Sequence, residues 1–151
     1  MQVKDVMSAP IEWVHFSLPI REVARKMRAL KLGCIPVGED GRLVGIVTDR
    51  DITCRLVADG RDADRAHVYD LMTRNVAFCR QDQDVCDAVK IMCTTGFRRL
   101  PVLDEQEQVV GLLSVDDLCW KIPDRIFTET MRAIIAAHHG RDEASADSAL
   151  L

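Results

Sequence analysis

The spacing of apolar residues along the chain predicts an alternation of short strands and amphipathic helices. In the first half, a helical face with spacings of three and four residues follows Pro19, which suits a first helical turn, and Gly33 is expected to end that helix. Short apolar runs rich in β-branched residues predict strands. The predicted elements, in order, are a strand at 13–16, a helix at 19–33, strands at 34–37 and 43–48 joined by a turn at 38–41, and a helix at 49–57.

The same order returns in the second half of the chain as an internal repeat. Three segments recur in sequence at offsets of 65 or 66 residues, which indicates duplication. The recurring pairs are Asp5-Val6-Met7-Ser8 with Asp70-Leu71-Met72-Thr73, Ile35-Pro36-Val37 with Leu100-Pro101-Val102, and 45–52 (GIVTDRDI) with 111–118 (GLLSVDDL). The second copy is expected to close with a helix at 117–122.

The repeats divide the chain into a predicted series of segments. After Pro123, apolar residues at helical spacing predict an amphipathic appendage, and the residues beyond Gly140 are small, polar and acidic. The predicted organisation is repeat one at 1–57, a polar linker at 58–66, repeat two at 67–122, a C-terminal helix at 123–140 and a disordered tail at 141–151.

Composition narrows the class of protein. The chain has 151 residues, 48% of them hydrophobic, and a formal net charge of −4, so neither a nucleic acid nor a membrane surface is an expected partner. No signal pattern and no membrane-length apolar run is present, and a cytoplasmic location is expected. Six cysteines lack any CxxC spacing; Cys86 and Cys93 would lie about 10.5 Å apart on a helix, too far for a disulfide or a shared metal ion.

A hydroxyl and a carboxylate recur three residues apart where a strand runs into a helix. These pairs are Thr48 with Asp51 and Ser114 with Asp117. The spacing is that of a capping box, which needs no ligand, but an ionised carboxylate beside a hydroxyl also suits the diol of a ribose. The spacing alone leaves both interpretations open.

The recurring segments resemble the cystathionine-β-synthase (CBS) domain, and the pair resembles a tandem CBS (Bateman) module of the stand-alone bacterial type. The resemblance covers about residues 1–122. It implies an α/β (α+β) fold, with two β-α-β-β-α repeats packed around a pseudo-twofold axis. It also implies a homodimer that senses a ligand and is not an enzyme. The ligand expected in the clefts between repeats contains adenosine: AMP, ADP, ATP, NAD(H) or S-adenosylmethionine.

The resemblance also assigns roles to residues. Thr48 and Asp51, and Ser114 and Asp117, match the ribose-binding positions, and Arg50 is placed to reach phosphates. Asp116 stands where the first copy has Arg50, so the first site is predicted to bind more tightly. The remaining predicted binding residues are Arg98 and Arg99 for phosphates of the second site, Cys34, Ile35, Pro36, Leu100 and Pro101 on the strands lining the adenine, and Ile11 and Val76 flanking the base.

Two other functions stay open. The chain could act as a structural dimer whose empty clefts leave 123–140 to contact a partner protein, or as a redox-linked regulator through its cysteines. No nucleophile with a paired base and no metal-ligand spacing is present, and the adjacent His138 and His139 are interpreted as a helix end. No catalytic residue and no metal site is therefore predicted.

Overall fold

The computed structural model describes the backbone of residues 1–148 and the side chains of residues 1–140. It divides into two compact units, and the first comprises Glu12–Val76 with Gln106–Val109. Its three-stranded sheet has the order β1-β2-β3, with β1 parallel and β3 antiparallel to the central β2. Its elements are β1 Val14–His15, α1 Ile20–Leu30, β2 Cys34–Glu39, β3 Arg42–Thr48, α2 Asp49–Ile52, a π-helical turn at Thr53–Val57 and α3 Val68–Leu71.

The second unit comprises Met1–Ile11, Ala77–Glu105 and the chain from Val110 onward. It too has a three-stranded sheet, with the order β4-β5-β6 and β4 parallel to β5. Its elements are a 3₁₀ turn at Val3–Asp5, β4 Cys79–Arg80, α4 Val85–Thr95, β5 Arg99–Leu103, β6 Val109–Ser114, α5 Val115–Cys119 and α6 Asp124–Ser148. The predicted fold class is confirmed, since helices and two short sheets share the chain.

Each unit combines the strands of one repeat with the opening segment of the other repeat. In the first unit, Thr73 exchanges two main-chain hydrogen bonds with Ile46 on β3, at 2.8 and 2.9 Å. In the second, Ser8 exchanges two with Leu112 on β6, at 3.0 and 3.1 Å. The compact units therefore differ from the sequence repeats predicted at 1–57 and 67–122, because this pairing attaches the start of each repeat to the last strand of the other.

Glycine recurs where the opening segment of one repeat approaches the last strand of the other, because a side chain would collide there. A Cβ on Gly45 would lie 2.7 Å from Met72 Sδ and 2.9 Å from the Thr73 carbonyl oxygen, and one on Gly111 would collide with Met7 Sδ. The same pairing also explains why the central strand β2 accommodates Pro36. It lies opposite Ile46, whose amide and carbonyl bond to Thr73, so the missing N–H of Pro36 costs the ladder nothing.

Each unit has its own apolar core. The first is built around α1 and the inner face of its sheet, with Ile20, Ile35 and Val47 each 0–1% exposed. The predicted linker at 58–66 packs on this core: Ala66 is buried, and its carbonyl accepts the amide of Ile20 at 2.9 Å. The second core includes Ile134 of α6, so the C-terminal helix is an integral part of that unit.

The structure corrects the predicted bounds of three helices. Helix α1 ends at Leu30 because Lys31 adopts the left-handed conformation (φ 55°), so Gly33 is not the terminator. Helix α5 spans Val115–Cys119, so it begins two residues and ends three residues before the predicted 117–122; Ser114 caps its start.

Helix α6 continues through Gly140 to Ser148, so 141–148 are not a disordered tail and His138 and His139 do not mark its end. The alanines of 141–148 favour a helix, and Gly140 has no positive φ that would stop one. The rest of the predicted tail, 149–151, lies outside the described residues. No helix in the described part of the chain has the length and apolar character needed to cross a membrane.

Candidate functional site

The first candidate site is a complete capping box at the junction of β3 and α2. The Thr48 amide and its Oγ1 hydroxyl both donate to Asp51 Oδ2 at 2.9 Å, and the Asp51 amide donates back to Thr48 Oγ1 at 3.1 Å. The Asp51 side chain is only 12% exposed. The capping interpretation of this motif is therefore realised, and one carboxylate oxygen is already used by it.

The second oxygen of Asp51 faces a guanidinium that sequence reasoning did not single out. Arg55 Nη1 lies 3.5 Å from Asp51 Oδ1, an ion-pair distance, and donates a hydrogen bond to the Leu71 carbonyl at 2.8 Å. The π-helical turn at Thr53–Val57 carries Arg55. A spacing of four residues from Asp51 on a helix was the signal that could have found it. Within the described part of the chain, no donor hydrogen-bonds to Asp51 Oδ1.

The sheet of the first unit carries Thr48 on one face and packs its opposite face on the core. Cys34 lies directly opposite Thr48 in the antiparallel register, so the two side chains share a face with Pro36. Ile35 points to the other face and is 0% exposed within the core. Cys34 and Pro36 are also buried, so the Thr48 side of the sheet is lined with apolar groups.

The second candidate site repeats the capping box at the junction of β6 and α5. The Ser114 amide and hydroxyl donate to Asp117 Oδ2 at 2.8 and 2.5 Å, and the Asp117 amide donates to Ser114 Oγ at 3.2 Å. The other oxygen, Asp117 Oδ1, accepts a hydrogen bond from Ser8 Oγ at 2.9 Å. This contact joins residues 109 positions apart, and no sequence signal predicted it.

The strand of the second site has the same two-faced character. On β5, Leu100 is 0% exposed in the core, whereas Arg99 and Pro101 alternate onto the opposite face. Pro101 is buried and Arg99 is exposed. Leu100 and Ile35 are thus core residues, and their contribution to a ligand site would be limited to their main chain.

The cations predicted to reach phosphates are exposed in both units. Arg50 lies in the first turn of α2, and its side chain makes no hydrogen bond or ion pair to a described residue. The carbonyl of Arg98 accepts the amide of Val115 at 3.1 Å, which fixes Arg98 beside the start of α5. Asp116 is exposed at the position equivalent to Arg50, so the two helix starts differ in charge.

The two residues predicted to flank the base belong to different units. Val76 follows Thr73 by three residues and lies in the first unit with Thr48 and Asp51. Ile11 follows Ser8 by three residues and lies in the second unit, with Ser114 and Asp117. Both are partly buried. The residue predicted to flank the base in each site therefore comes from the opening segment of the opposite repeat.

The thiols with altered acidity are poor candidates for redox chemistry. Burial raises the pKa of Cys79 to about 12 and also raises the pKa of Cys93. The carboxylate of Asp84 raises the pKa of Cys86. A raised pKa lowers the fraction of reactive thiolate at neutral pH. No group of three or more His, Cys, Asp or Glu among the described side chains is arranged to hold a metal ion.

Sequence comparison gives a consistent family match. The CBS domain family matches residues 3–58 and 68–124. The CBS domain-containing protein YhcV of Bacillus subtilis is 36% identical over 116 residues, covering 77% of this chain and 81% of its own. An uncharacterized protein of Methanopyrus kandleri, MK0525, is 34% identical over 98 residues; the match covers 64% of this chain but only 50% of that protein.

Solved structures with the same fold include several ligand complexes. Hypoxic response protein I with two coordinated zinc ions has a TM-score of 0.74 and 27% identity, covering 82% of this chain and 100% of its own. The CBS domain pair of MJ0100 in complex with 5′-methylthioadenosine and S-adenosylmethionine has a TM-score of 0.69 and 28% identity (80% and 94% covered). CBSX2 in complex with AMP has a TM-score of 0.68 and 26% identity (79% and 93% covered).

Proposed function

The chain belongs to the CBS-domain family, and from that premise we propose that it is a regulatory module that binds an adenosine-containing ligand. The binding groups are Thr48 and Asp51 in the first unit and Ser114 and Asp117 in the second. The protein acts by sensing the ligand rather than by transforming it. Its expected location is the cytoplasm.

One observation carries this proposal: each capping box holds a carboxylate beside a buried, mainly apolar strand. Asp51 uses Oδ2 for the cap, while its Oδ1 accepts no hydrogen bond from a described donor and lies 3.5 Å from Arg55 Nη1. A ribose hydroxyl donating to that oxygen would form a charge-assisted hydrogen bond, which contributes about 1.5–3 kcal/mol. The buried Cys34 and Pro36 provide an apolar surface of the kind that an adenine ring packs against.

The structural neighbours support the ligand class. AMP, 5′-methylthioadenosine and S-adenosylmethionine, which are bound by two of them, share an adenosine. In the present chain the exposed Arg50 in the first site, and Arg98 and Arg99 in the second, are the cations that would favour a phosphorylated ligand such as AMP, ADP or ATP. NAD(H) and S-adenosylmethionine remain alternatives within the same proposal.

A thermal-shift screen against AMP, ADP, ATP, NAD and S-adenosylmethionine tests the proposal. A ligand that binds only the native state raises the unfolding free energy by about 2.7 kcal/mol at 100 times its Kd. The matching guanosine nucleotides are the control for adenine recognition. Failure of every adenosine compound to raise Tm at millimolar concentration would contradict the proposal. An equal rise with guanosine nucleotides would show that the base is not recognised.

A homodimer is part of the proposal, with exposed apolar residues as its support. Trp120, just after α5, is 88% exposed, and Ile126 on α6 is 49% exposed. Large exposed apolar side chains of this kind are typical of association surfaces. Light scattering at micromolar concentration should give twice the 17.0 kDa chain mass. A monomer would also remove the rival proposal of a structural dimer with empty clefts.

A further inference from the structure

The two capping-box carboxylates differ in what meets their second oxygen. Asp117 Oδ1 accepts a hydrogen bond from the Ser8 hydroxyl at 2.9 Å. In the first unit no described donor hydrogen-bonds to Asp51 Oδ1, and the nearest cation, on Arg55, stands 3.5 Å away. The two sites are therefore not equivalent, although their capping geometry is the same.

Ser8 is held in place by its own main chain. Its amide donates to the Leu112 carbonyl at 3.0 Å, and the Leu112 amide donates to the Ser8 carbonyl at 3.1 Å. The neighbouring Gly111 has no side chain to keep this segment away from β6. Ser8 thus reaches Asp117 from a fixed position on the opening segment of the first repeat.

Thr73 occupies the equivalent place in the first unit, but its side chain does not make the equivalent contact. It exchanges the same two main-chain hydrogen bonds with Ile46. Its hydroxyl nevertheless makes no hydrogen bond to Asp51 within the described part of the chain. A threonine has a stiffer χ1 than a serine, because both substituents on Cβ must fit the strand. Thr73 in the first site is therefore an internal comparison for Ser8 in the second: the main-chain pairing is the same, but only the serine hydroxyl bonds to the carboxylate.

We propose that Ser8 is an affinity-determining residue of the second site, where its hydroxyl occupies the carboxylate oxygen that a ligand hydroxyl would use. This inference rests on the proposed function. A ribonucleoside entering the second site competes with the Ser8 hydroxyl for Asp117 Oδ1. A ribonucleoside entering the first site meets an Asp51 oxygen that accepts no hydrogen bond from a described donor and has only the ion-pair contact of Arg55 at 3.5 Å. Ser8 therefore lowers the affinity of the second site selectively for ligands that donate a hydroxyl.

Titration calorimetry on Ser8→Ala tests this inference, with Thr73→Ala as the matched control. Removing a hydrogen bond to a charged acceptor is expected to tighten AMP binding at the second site about ten-fold. Thr73→Ala should leave both sites unchanged. Binding of 2′,3′-dideoxyadenosine monophosphate, which lacks both donor hydroxyls, should not respond to Ser8→Ala. If Ser8 had a purely structural role, Ser8→Ala would change the affinities for AMP and for its dideoxy analogue by the same factor.

The outcomes separate this inference from the proposed function. Weaker AMP binding in Ser8→Ala, or an equal change for AMP and its dideoxy analogue, would overturn the role of Ser8 while leaving the adenosine site standing. Absence of AMP binding in both the unmodified chain and Ser8→Ala, with no adenosine compound active in the thermal-shift screen, would overturn both. The event whose affinity rises in Ser8→Ala is assigned to the second site by adding Asp117→Ala, which should remove that event.

Discussion

Replacing Asp51 by alanine separates its contribution to folding from its contribution to binding. In the absence of ligand, the substitution removes the acceptor of the Thr48 amide and hydroxyl, both at 2.9 Å. Leaving a partly buried amide without an acceptor costs about 1–3 kcal/mol. The Arg55 contact at 3.5 Å adds little, because Arg55 is 49% exposed and surface ion pairs are worth about 0–1 kcal/mol.

The expected loss of unfolding free energy can be measured before any ligand is added. A change of 1 kcal/mol shifts Tm by about 2–4 °C in a chain of this length, so Asp51→Ala should lower Tm by about 2–12 °C. Asp117→Ala, with the same capping geometry, should fall in the same range. Urea denaturation followed by circular dichroism gives the free energies directly. A ligand-free Asp51→Ala protein as stable as the unmodified chain would refute the capping argument.

Ligand titration of the same two variants then tests binding. The first site is expected to be the tighter one, because Arg50 stands where the second site has Asp116 and because Asp51 Oδ1 accepts no hydrogen bond from a described donor. Asp51→Ala should therefore abolish the tighter calorimetric event, and Asp117→Ala should spare it. The reverse order would refute the asymmetry. Unchanged binding in both variants would show that the two motifs are helix caps only.

Three further experiments test the structure beyond the two carboxylates. Gly45→Ala should cost about 1–3 kcal/mol of unfolding free energy because its Cβ would meet the Met72–Thr73 segment, whereas Gly140→Ala, with open space around it, should raise helix stability by about 1 kcal/mol; equal effects in urea denaturation would contradict the close-approach argument. Ile134→Ala should cost about 2–5 kcal/mol because Ile134 is 0% exposed, and a loss below about 1 kcal/mol would show that α6 is not part of the core. Iodoacetamide at pH 8 should label the exposed Cys54 and spare Cys79, whose pKa of about 12 leaves almost no thiolate; mass spectrometry of the native protein that found Cys79 labelled first would revive a redox role.

Local signals were sufficient for the existence of the main elements and for the duplication, whereas the fold class came from the family resemblance. The apolar periods located every strand of the first repeat, since each reflects which side chains one face of the element must bury. The recurrence of Thr48 with Asp51 and of Ser114 with Asp117 also identified both capping boxes, because that interaction is confined to four consecutive residues. Their predicted part in ligand binding stays a prediction.

The sequence could not determine which segments share a unit or what surrounds each carboxylate. Thr73 pairs with β3 of the first repeat and Ser8 with β6 of the second, although nothing in the repeats themselves directs each opening segment to the other copy. The contact of Ser8 with Asp117 follows from that pairing, and so does the need for glycine at 45 and 111. Such contacts join residues tens of positions apart, and they depend on backbone approach that composition and periodicity do not encode. Sequence therefore determined the residues of the two capping boxes and their difference in charge at positions 50 and 116, while the tertiary structure decided what meets the second oxygen of each carboxylate.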